Sequence, residues 1–499
     1  MPAQARWEIV PPPPPEVDQA LSRFPPLWRR MLYARGFTDY ATAKAFLEAH
    51  LPASAQDPFG LKDMDAAVDR IAWAITHHEP IAVYGDYDVD GVTASALLVT
   101  ALEALGADVR PYIPNRFDEG YGVHEDALRR LHEEGVRLVV TVDCGIRPPE
   151  PIAAARAWGL DVIVTDHHTP GPELPPARAV VNPKRVDDPY PGKELAGVGV
   201  AFKLAHALFM RLAADRADAV RQFLDLVALG TVADVVPLTG ENRYWVRAGL
   251  HRLRKPQRQG LRALIGVAGL RAERITATHI GFILGPRLNA AGRLDSAMAA
   301  LRLLLTQDLW EAGQLAQQLE AQNRRRQYLT DLIVRAAETM AIDDPDQPPW
   351  LIFAAHPDFN PGVVGLAAAR LVERYHRPAL IAHQEGDLIR GSGRSIPGLH
   401  LTHALDACRA YLKRYGGHAA AAGFTLEARH LEDFLACLRA AIRDALRGQD
   451  VRPVLRADAE VTLAQMTPEF LHQLRWFEPT GMSNPKPRFV VRRARLLHV

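Results

Sequence analysis

The sequence predicts an α/β protein with two parallel-sheet domains joined by a long helix. In the first half, short apolar strands rich in Val and Ile alternate with helical segments, a pattern that indicates a parallel sheet covered on both faces. These strands are expected at residues 81–84, 107–113, 138–142 and 162–165. A second α/β unit begins with Trp350-Leu351-Ile352-Phe353 and runs to about residue 447. Between the two, apolar residues recur at three- and four-residue steps over 309–342, which predicts a helix about 50 Å long.

The chain of 499 residues is long enough for about three domains. We expect an N-terminal extension (1–70), a first α/β domain (71–308), a connecting helix (309–345), a second α/β domain (346–447) and a short C-terminal segment (448–499).

Composition narrows the class of protein. The net charge of +1 excludes a globally basic nucleic-acid coat but allows a local basic groove. Arg outnumbers Lys by 51 to 8, which suits bidentate phosphate binding or reflects a compositional bias alone. No apolar run approaches the roughly 18 residues of a membrane span, and the first residues lack the apolar core of a signal peptide. Three scattered cysteines predict no disulfide framework and a cytoplasmic location.

Three strand ends carry acidic or histidine side chains. They are Gly85-Asp86-Tyr87-Asp88-Val89-Asp90-Gly91, then Asp143, then Asp166-His167-His168. Alone, the first motif is equally consistent with an Asp-rich turn that caps a helix. An EF-hand loop is disfavoured, because Leu97 or Val99 stands where the bidentate Glu belongs. Since ligands bind outside the carboxyl ends of parallel strands, the three motifs together predict a metal site.

Asp234 completes the expected ligand set. It follows an apolar helix predicted at 223–229, where a carboxylate is costly to bury unless it is paired or coordinates a cation. Carboxylate and imidazole ligands without a Cys cluster favour Mn²⁺ or Mg²⁺ over structural zinc. The set is too large for one ion. We therefore expect two ions that share a bridging carboxylate, the arrangement that activates water for in-line phosphoryl displacement.

At these residues the sequence resembles the DHH phosphoesterase superfamily, named for the motif seen here as Asp166-His167-His168. Within it, the chain is most similar to exonucleases specific for single-stranded DNA, and the resemblance covers most of the chain. Further matching segments are Arg35-Gly36, Val142-Asp143-Cys144-Gly145-Ile146, Val181-Asn182-Pro183-Lys184, Gly197-Val198-Gly199-Val200-Ala201-Phe202 and Gly230 to Pro237.

The resemblance implies particular site residues. The implied metal ligands are Asp86, Asp88, Asp90, Asp143, His167 and Asp234. Asp143 is implied to bridge the ions, and His168 to act beside the scissile phosphate. In the DHH domain the implied substrate-binding residues are Arg287, Asn289 and Arg293. In the DHH-associated domain they are Arg390, Ser392, Arg394, Gly416, Gly417 and His418.

Physically, Gly391-Ser392-Gly393-Arg394-Ser395 offers amides, hydroxyls and a guanidinium that can cradle a phosphate. Taken separately, this segment and the one at 416–418 are ordinary loops. The family's order and spacing indicate a pocket for the 5′ end of the strand.

The C-terminal segment resembles the start of an OB-fold at 477–485, with Ser483 where the family usually has Gly. The sequence given stops about 50 residues into a module that needs five strands. We therefore expect a partial, incomplete OB-fold-like segment, or a trimmed chain, and weakened single-strand binding.

The resemblance implies a two-metal exonuclease that degrades single-stranded DNA from the 5′ end to 5′-mononucleotides in DNA repair and recombination. Single-strand-binding protein and a RecQ-type helicase are the partners expected of the family. The Arg run at 324–326 is expected to follow DNA or to be a solvated helix face. Two alternatives stay open: a DHH phosphodiesterase for short oligonucleotides or small nucleotides, and a non-catalytic scaffold in replication. The scaffold is disfavoured because every ligand is present.

Overall fold

The computed structural model describes residues 5–51, 55–115, 119–120, 122–345 and 348–495. Three of the expected segment limits lie outside the described residues: the start of the N-terminal extension at 1, the start of the second α/β domain at 346 and the end of the C-terminal segment at 499. The strands are β1 (Arg6–Ile9), β2 (Ile81–Gly85), β3 (Val109–Tyr112), β4 (Leu138–Val142), β5 (Asp161–Thr165), β6 (Ala179–Val181), β7 (Ile352–His356), β8 (Ala379–Glu385), β9 (Leu388–Arg394), β10 (Leu412–Gly417), β11 (Ala421–Glu427), β12 (Val454–Ala457), β13 (Ala459–Glu460) and β14 (Phe489–Val490).

Helices connect and cover these strands. They are α1 (Pro15–Ala20), α2 (Pro26–Tyr33), α3 (Tyr40–Glu48), α4 (Met64–Thr76), α5 (Val89–Ala104), α6 (Glu125–Glu133), α7 (Glu150–Ala157), α8 (Gly197–Leu212), α9 (Leu224–Ala233), α10 (Gly240–Leu253), α11 (Gln259–Val267), α12 (Ala277–His279), α13 (Gly285–Leu294), α14 (Met298–Leu305), α15 (Leu309–Ala341), α16 (Val364–Tyr375), α17 (Leu401–Ala407), α18 (Leu431–Ala445) and α19 (Pro468–Gln473). A π-helical turn, Ile280–Leu284, precedes α13. None of the described helices is both long and apolar enough to cross a bilayer.

The first sheet has the strand order β3-β2-β4-β5-β6, and all its pairs are parallel. Alternate residues of a strand enter different cores: Val140 packs with α4, α5 and α8 on one face, and Val139 packs with α6 and α7 on the other. Burial on both faces explains the continuous apolar strands. The predicted parallel sheet is confirmed, and β4 has the predicted bounds.

The chain forms two compact units. The first unit contains Pro11–Asn323 with the described residues from Asp458 onward. The second unit contains Arg324–Ala457 together with the described residues up to Val10. The predicted long helix is confirmed as α15, and the division between units falls inside it, after Asn323. The C-terminal segment from Asp458 therefore belongs to the same unit as the first sheet.

The second sheet has the order β10-β11-β9-β8-β7. Its α/β class agrees with the prediction, but the sheet is mixed: β7 and β8 are parallel, and the other three pairs are antiparallel. Tight connections such as Gly386, which has φ of 56° between β8 and β9, allow neighbouring strands to run in opposite directions. One face packs on α17 and α18 through residues such as Phe424 and Phe434.

The sequence predicts no disulfide framework among the three cysteines, yet the structure contains one disulfide bond. Cys408 follows α17, Cys437 lies in α18, and their sulfurs are bonded across 29 residues of sequence. Cys144 is free and buried. Sequence spacing did not reveal the pair, because the contact between α17 and α18 is what brings the two sulfurs together.

Candidate metal centre

Three acidic residues directly follow three paired residues at the carboxyl ends of neighbouring strands in the first sheet. Gly85 on β2 is paired with Val142 on β4, which is paired with Thr165 on β5. The next residue of each strand is Asp86, Asp143 or Asp166, so the three acidic side chains begin at one edge of the sheet. The predicted convergence of these motifs is confirmed.

His167 points its ring into a group of carboxylates. Its Nε2 lies 3.1 Å from Asp143 Oδ1, 3.5 Å from Asp234 Oδ2 and 3.8 Å from Asp90 Oδ2. The residue is only 5% exposed, and neither ring nitrogen has a hydrogen-bond partner among the described residues. Burial and the neighbouring His168 lower the pKa of His167 to about 4, so its imidazole is neutral at pH 7. A neutral, buried imidazole with a free lone pair is suited to bind a metal ion.

Asp143 occupies the centre of the group. It adopts a left-handed backbone conformation with φ of 61°, and its N–H donates to Thr165 O at 3.1 Å. A Cβ on Gly197 would lie 2.7 Å from Asp143 Oδ1, so only glycine leaves room for this carboxylate. Strained non-glycine residues of this kind are concentrated at functional sites.

Asp90 is fixed by the start of α8. Gly197 N donates to its Oδ2 at 2.6 Å and Val198 N donates to its Oδ1 at 2.9 Å. The Asp90 carboxylate thus lies at a helix N-terminus, which favours negative charge. Because each carboxylate oxygen has further lone-pair capacity, these bonds leave Asp90 able to bind a cation.

Asp234 lies directly after α9, whose apolar sequence continues to Ala233 rather than ending at 229 as predicted. A Cβ on Gly230, one turn earlier, would lie 2.7 Å from Asp90 Oδ1. The absent side chain therefore lets α9 approach the carboxylate group.

Three triads of ligand atoms could each hold an ion, with all atoms of a triad within 4.8 Å of one another. They are Asp86, Asp88 and Asp143; Asp143, His167 and His168; and Asp90, His167 and Asp234. Asp143 and His167 each belong to two triads. Asp88 also caps α5, since it accepts a hydrogen bond from Gly91 N at 3.0 Å. All six predicted metal ligands are therefore brought together.

Electrostatics also favour a cation here. Burial, together with the neighbouring carboxylates, raises the pKa of Asp90 and of Asp143 well above the ordinary value for Asp. Burial and the charge of Asp88 raise the pKa of Asp234 to about 7. Divalent cations would relieve this repulsion, and carboxylate with imidazole suits Mn²⁺ and Mg²⁺. The orphaned nitrogens of His167 and the donor chemistry thus fit the expected ions.

Asp166 has a different role from the other aspartates. Its Oδ1 accepts from His167 N, from His168 N and, at 2.8 Å, from His168 Nδ1, and its Oδ2 accepts from Ile146 N. Burial acts to raise its pKa, but the hydrogen bonds and charge of His168 hold it below the ordinary value. Asp166 therefore positions both histidines, a role that the sequence did not assign.

Asn182 lies in one of the segments that match the family, and its side chain makes contacts that the sequence does not reveal. Its Nδ2 donates to His168 O at 2.9 Å, and its Oδ1 accepts from Lys184 N at 2.8 Å. It ties the loop after β6 to the histidine motif.

The predicted substrate residues of the first unit lie on α13. Arg287 Nε donates to Glu320 Oε2 at 2.6 Å, and Asn289 Oδ1 accepts from Val89 N at 3.1 Å. Arg293 is half-buried on the same helix. Arg287 and Asn289 thus already have partners in the protein, and Asn289 touches the aspartate loop itself.

The predicted substrate residues of the second unit lie on β9, β10 and the turn that follows. Arg394 donates to Ser392 Oγ at 2.8 Å, and a Cβ on Gly365, in the first turn of α16, would lie 3.0 Å from that hydroxyl. Gly416 and Ser392 flank Gly423 of β11 from either side. The last three predicted residues, Gly416, Gly417 and His418, are exposed.

An arginine that the sequence did not single out lies on the same sheet. Arg414 and Arg390 are both paired with Thr425, and both are exposed. Cross-strand register, which sequence cannot give, adds Arg414 to this surface.

The chain matches three family models. These are the DHH family N-terminal domain over residues 80–231, the DHHA1 domain over 347–444 and the RecJ OB domain over 457–499.

Curated relatives agree with these matches. The single-stranded-DNA-specific exonuclease RecJ of Bacillus subtilis is 41% identical over 99% of this chain and 62% of its own length. The protein of the same name from Escherichia coli is 38% identical over 95% of this chain and 85% of its own length. The chain therefore spans most of the E. coli relative but less than two thirds of the B. subtilis one.

Solved structures give the same result. The crystal structure of RecJ from Thermus thermophilus with Mn²⁺ matches with a TM-score of 0.83 at 34% identity, over 98% of this chain and 70% of that one. The Mg²⁺ complex of the same protein matches with a TM-score of 0.76 at 33% identity, over 97% and 67%.

The parallel sheet, the carboxylate and imidazole cluster at its carboxyl edge and the DHHA1 domain define a metal-dependent phosphoesterase of the DHH type. Its cofactor is Mn²⁺ or Mg²⁺, the ions of the matching structures. Within that class, the chain belongs to the RecJ family.

Proposed function

We propose that this protein is an exonuclease that hydrolyses single-stranded DNA from its 5′ end and releases 5′-mononucleotides. The observation that carries the proposal is the cluster of Asp86, Asp88, Asp90, Asp143, His167 and Asp234 in a chain of the RecJ family, in which Asp88 and Asp234 are half-buried and the other four are buried. Its relatives are named as single-stranded-DNA-specific exonucleases.

Two cations are assigned to the cluster. Asp86 and Asp88 would hold one ion and the group around His167 would hold the other, and Asp143, which belongs to both groups of ligand atoms, would be shared between them. When bound, such ions polarise water and the scissile phosphate and stabilise charge on both oxygens of the displacement. The chain's own contribution is to hold the oxygens and the imidazole in place through α8, α9 and the left-handed backbone of Asp143.

His168 is assigned to the scissile phosphate. Its side chain is 40% exposed, and Asp166 fixes its Nδ1, so Nε2 is directed away from that bond. Burial acts to lower the pKa of His168, but the hydrogen bond and charge of Asp166, with the nearby aspartates, raise it overall. The raised pKa favours the protonated ring, whose Nε2–H would donate a hydrogen bond to a phosphate oxygen as negative charge develops.

DNA contacts are assigned to both units. Arg293 in the first unit, and the predicted residues Arg390, Ser392, Arg394, Gly416, Gly417 and His418 in the second, bind backbone phosphates. Arg287 and Asn289 act indirectly. Asn289 holds α13 against the aspartate loop through Val89 N, and Arg287 joins α13 to Glu320 of α15.

The proposed setting is the cytoplasm, in DNA repair and recombination. Single-strand-binding protein and a RecQ-type helicase are the proposed protein partners, on the basis of family membership.

The test compares 5′-labelled and 3′-labelled single strands, blunt duplexes and dinucleotides, each with Mn²⁺ and with EDTA. We expect labelled mononucleotide to be released at once from the 5′-labelled single strand and only late from the 3′-labelled one. Duplex is left intact, and EDTA stops the reaction. Faster turnover of dinucleotides than of long strands would overturn the proposal in favour of a short-oligonucleotide phosphodiesterase. Binding without any hydrolysis would favour a scaffold.

A further inference from the structure

Phe282 is the most exposed aromatic residue that the structure describes. It is 80% exposed, whereas the other exposed Trp and Tyr residues are 72% exposed or less. A fully hydrated phenyl ring carries a free-energy cost that burial of the ring against a ligand would recover.

The segment that carries Phe282 packs against the end of α9. Phe282 lies in the π-helical turn, which Ile280 and Leu284 anchor in the core. A Cβ on Gly281 would lie 3.8 Å from Val232 Cγ1, and one on Gly285 would lie 3.6 Å from Ala233 Cβ. The next residue is the metal ligand Asp234. π-Helical turns of this kind are frequent at functional sites.

The same segment also contacts the opposite side of the ligand cluster. Asn289 accepts from Val89 N, and a Cβ on Gly292 would lie 2.7 Å from Tyr87 O. One continuous stretch, 280–292, therefore spans from the Asp234 side of the metal centre to the aspartate loop. Its only strongly exposed apolar ring belongs to Phe282.

A second exposed apolar side chain lies beside Asp234. The side chain of Val235 is 58% exposed. Its backbone is also left-handed, with φ of 60°, which is a costly conformation for a β-branched residue. Two exposed apolar side chains next to a carboxylate cluster do not serve the coordination of cations.

We propose that Phe282 is a stacking platform for an unpaired nucleobase of the DNA strand whose backbone enters the metal centre. This rests on the proposed function and identifies how that site recognises single strands. Stacking on an aromatic ring tolerates any sequence, because every base has a π-face. A base inside a duplex keeps both faces stacked on its neighbours, so this platform favours unpaired strands over the interior of a duplex.

The test measures binding and hydrolysis separately. Binding is followed by fluorescence anisotropy with labelled single strands in EDTA, and hydrolysis by mononucleotide release with Mn²⁺. The variants are Phe282→Ala, Phe282→Leu and Phe282→Trp. The control is Trp73→Ala, which removes a 54% exposed ring stacked on His77. Because α4 ends just before β2 begins, Trp73 lies near the amino ends of the strands, opposite the metal centre.

We expect Phe282→Ala to raise the dissociation constant and KM for single strands about tenfold, the loss of one base stack. Phe282→Trp retains wild-type binding, Phe282→Leu remains weak, and Trp73→Ala has no effect. An abasic nucleotide moved along the strand weakens wild-type binding at one position and leaves Phe282→Ala unchanged there.

Wild-type binding by Phe282→Ala, or full rescue by Phe282→Leu, would overturn the stacking platform. Failure of the wild-type protein to hydrolyse strands that it binds would instead overturn the proposed function.

Discussion

A buried arginine joins the C-terminal segment to the rest of the first unit, and its replacement should strongly lower the free energy of unfolding of that unit. Arg243, on α10, is 1% exposed. Its guanidinium donates five hydrogen bonds to backbone carbonyls, those of Phe46, Trp476, Phe477, Glu478 and Pro479. Burial, with Arg247 and Arg35 nearby, lowers the pKa of Arg243 to about 9, so the side chain stays charged at pH 7.

The expected effect of Arg243→Met follows from these bonds. The substitution leaves Trp476 O and Glu478 O without this donor, at about 1–3 kcal/mol for each one that stays buried. The other three carbonyls keep a second donor, Asn484 Nδ2 for Phe477 O and Pro479 O and Ala49 N for Phe46 O. The desolvation cost of the guanidinium disappears at the same time and offsets part of this loss. We expect a net loss of about 3–5 kcal/mol, as is typical when one partner of a buried charged network is removed. That is a large share of the stability of a typical domain, about 5–15 kcal/mol.

Urea unfolding monitored by Trp fluorescence measures this loss, and limited proteolysis locates it. We expect early cleavage near residues 476–485 in Arg243→Met, while Mn²⁺ binding to the folded protein is retained. Arg247→Met is the matched control: it lies one turn further along α10 and donates a single bond, to Leu47 O at 2.7 Å. If Arg243→Met unfolds at the same urea concentration as the control, the carbonyl network does not stabilise the segment and the reasoning is refuted.

Three further predictions concern the metal centre. Asp143→Asn preserves the left-handed backbone, which Asn tolerates, and removes the charge that would bridge the two ions. We expect kcat to fall about 10³-fold, and wild-type turnover in this variant would exclude bridging by Asp143. Asp166→Asn removes the charge that holds His168 Nδ1 in place, so kcat should fall about 10–100-fold. The number of bound Mn²⁺ ions, measured by titration calorimetry, should stay unchanged. Loss of an ion would instead show that Asp166 is a ligand. Because the pKa of Asp234 is raised to about 7 in the folded state, this carboxyl binds more protons in the folded than in the unfolded metal-free protein between about pH 4 and pH 7. The lowered pKa of His167 acts in the opposite direction. The Tm in EDTA should therefore fall more steeply, or rise less, with pH in the wild-type protein than in Asp234→Asn, and equal slopes would contradict the burial of this carboxylate.

The first sheet and its ligands could be predicted from sequence because the signals are local. Apolar strands, each followed by an acidic motif, specify both the parallel sheet and the edge at which Asp143 and His167 meet. The same periodicity gave α15 almost to the residue.

Long-range packing was beyond such signals. Arg35-Gly36 and the 477–485 segment both match the family in sequence, yet only the structure shows them in contact. Arg35 Nε donates to Asn484 Oδ1 at 2.9 Å, and its guanidinium pairs with Asp458. Likewise, the antiparallel pairing of β9 with β11 and the Cys408–Cys437 bond depend on which surfaces meet, and no local periodicity encodes that.

Some side-chain partners could not be predicted for the same reason. Arg287 and Asn289 match a DNA-gripping segment, but their partners Glu320 and Val89 are distant in sequence. The sequence did not indicate a functional role for Phe282, because a single Phe in an apolar run is typical of a core residue. Only the structure shows that its side chain is exposed.

The most direct test of the central claim is a count of Mn²⁺ ions in the wild-type protein and in Asp143→Asn, by titration calorimetry combined with electron paramagnetic resonance. We predict two ions per wild-type chain with magnetic coupling between them, and loss of both the coupling and at least one ion in Asp143→Asn. A single uncoupled ion in the wild-type protein, or an unchanged coupled pair in the variant, would contradict a two-ion centre bridged by Asp143.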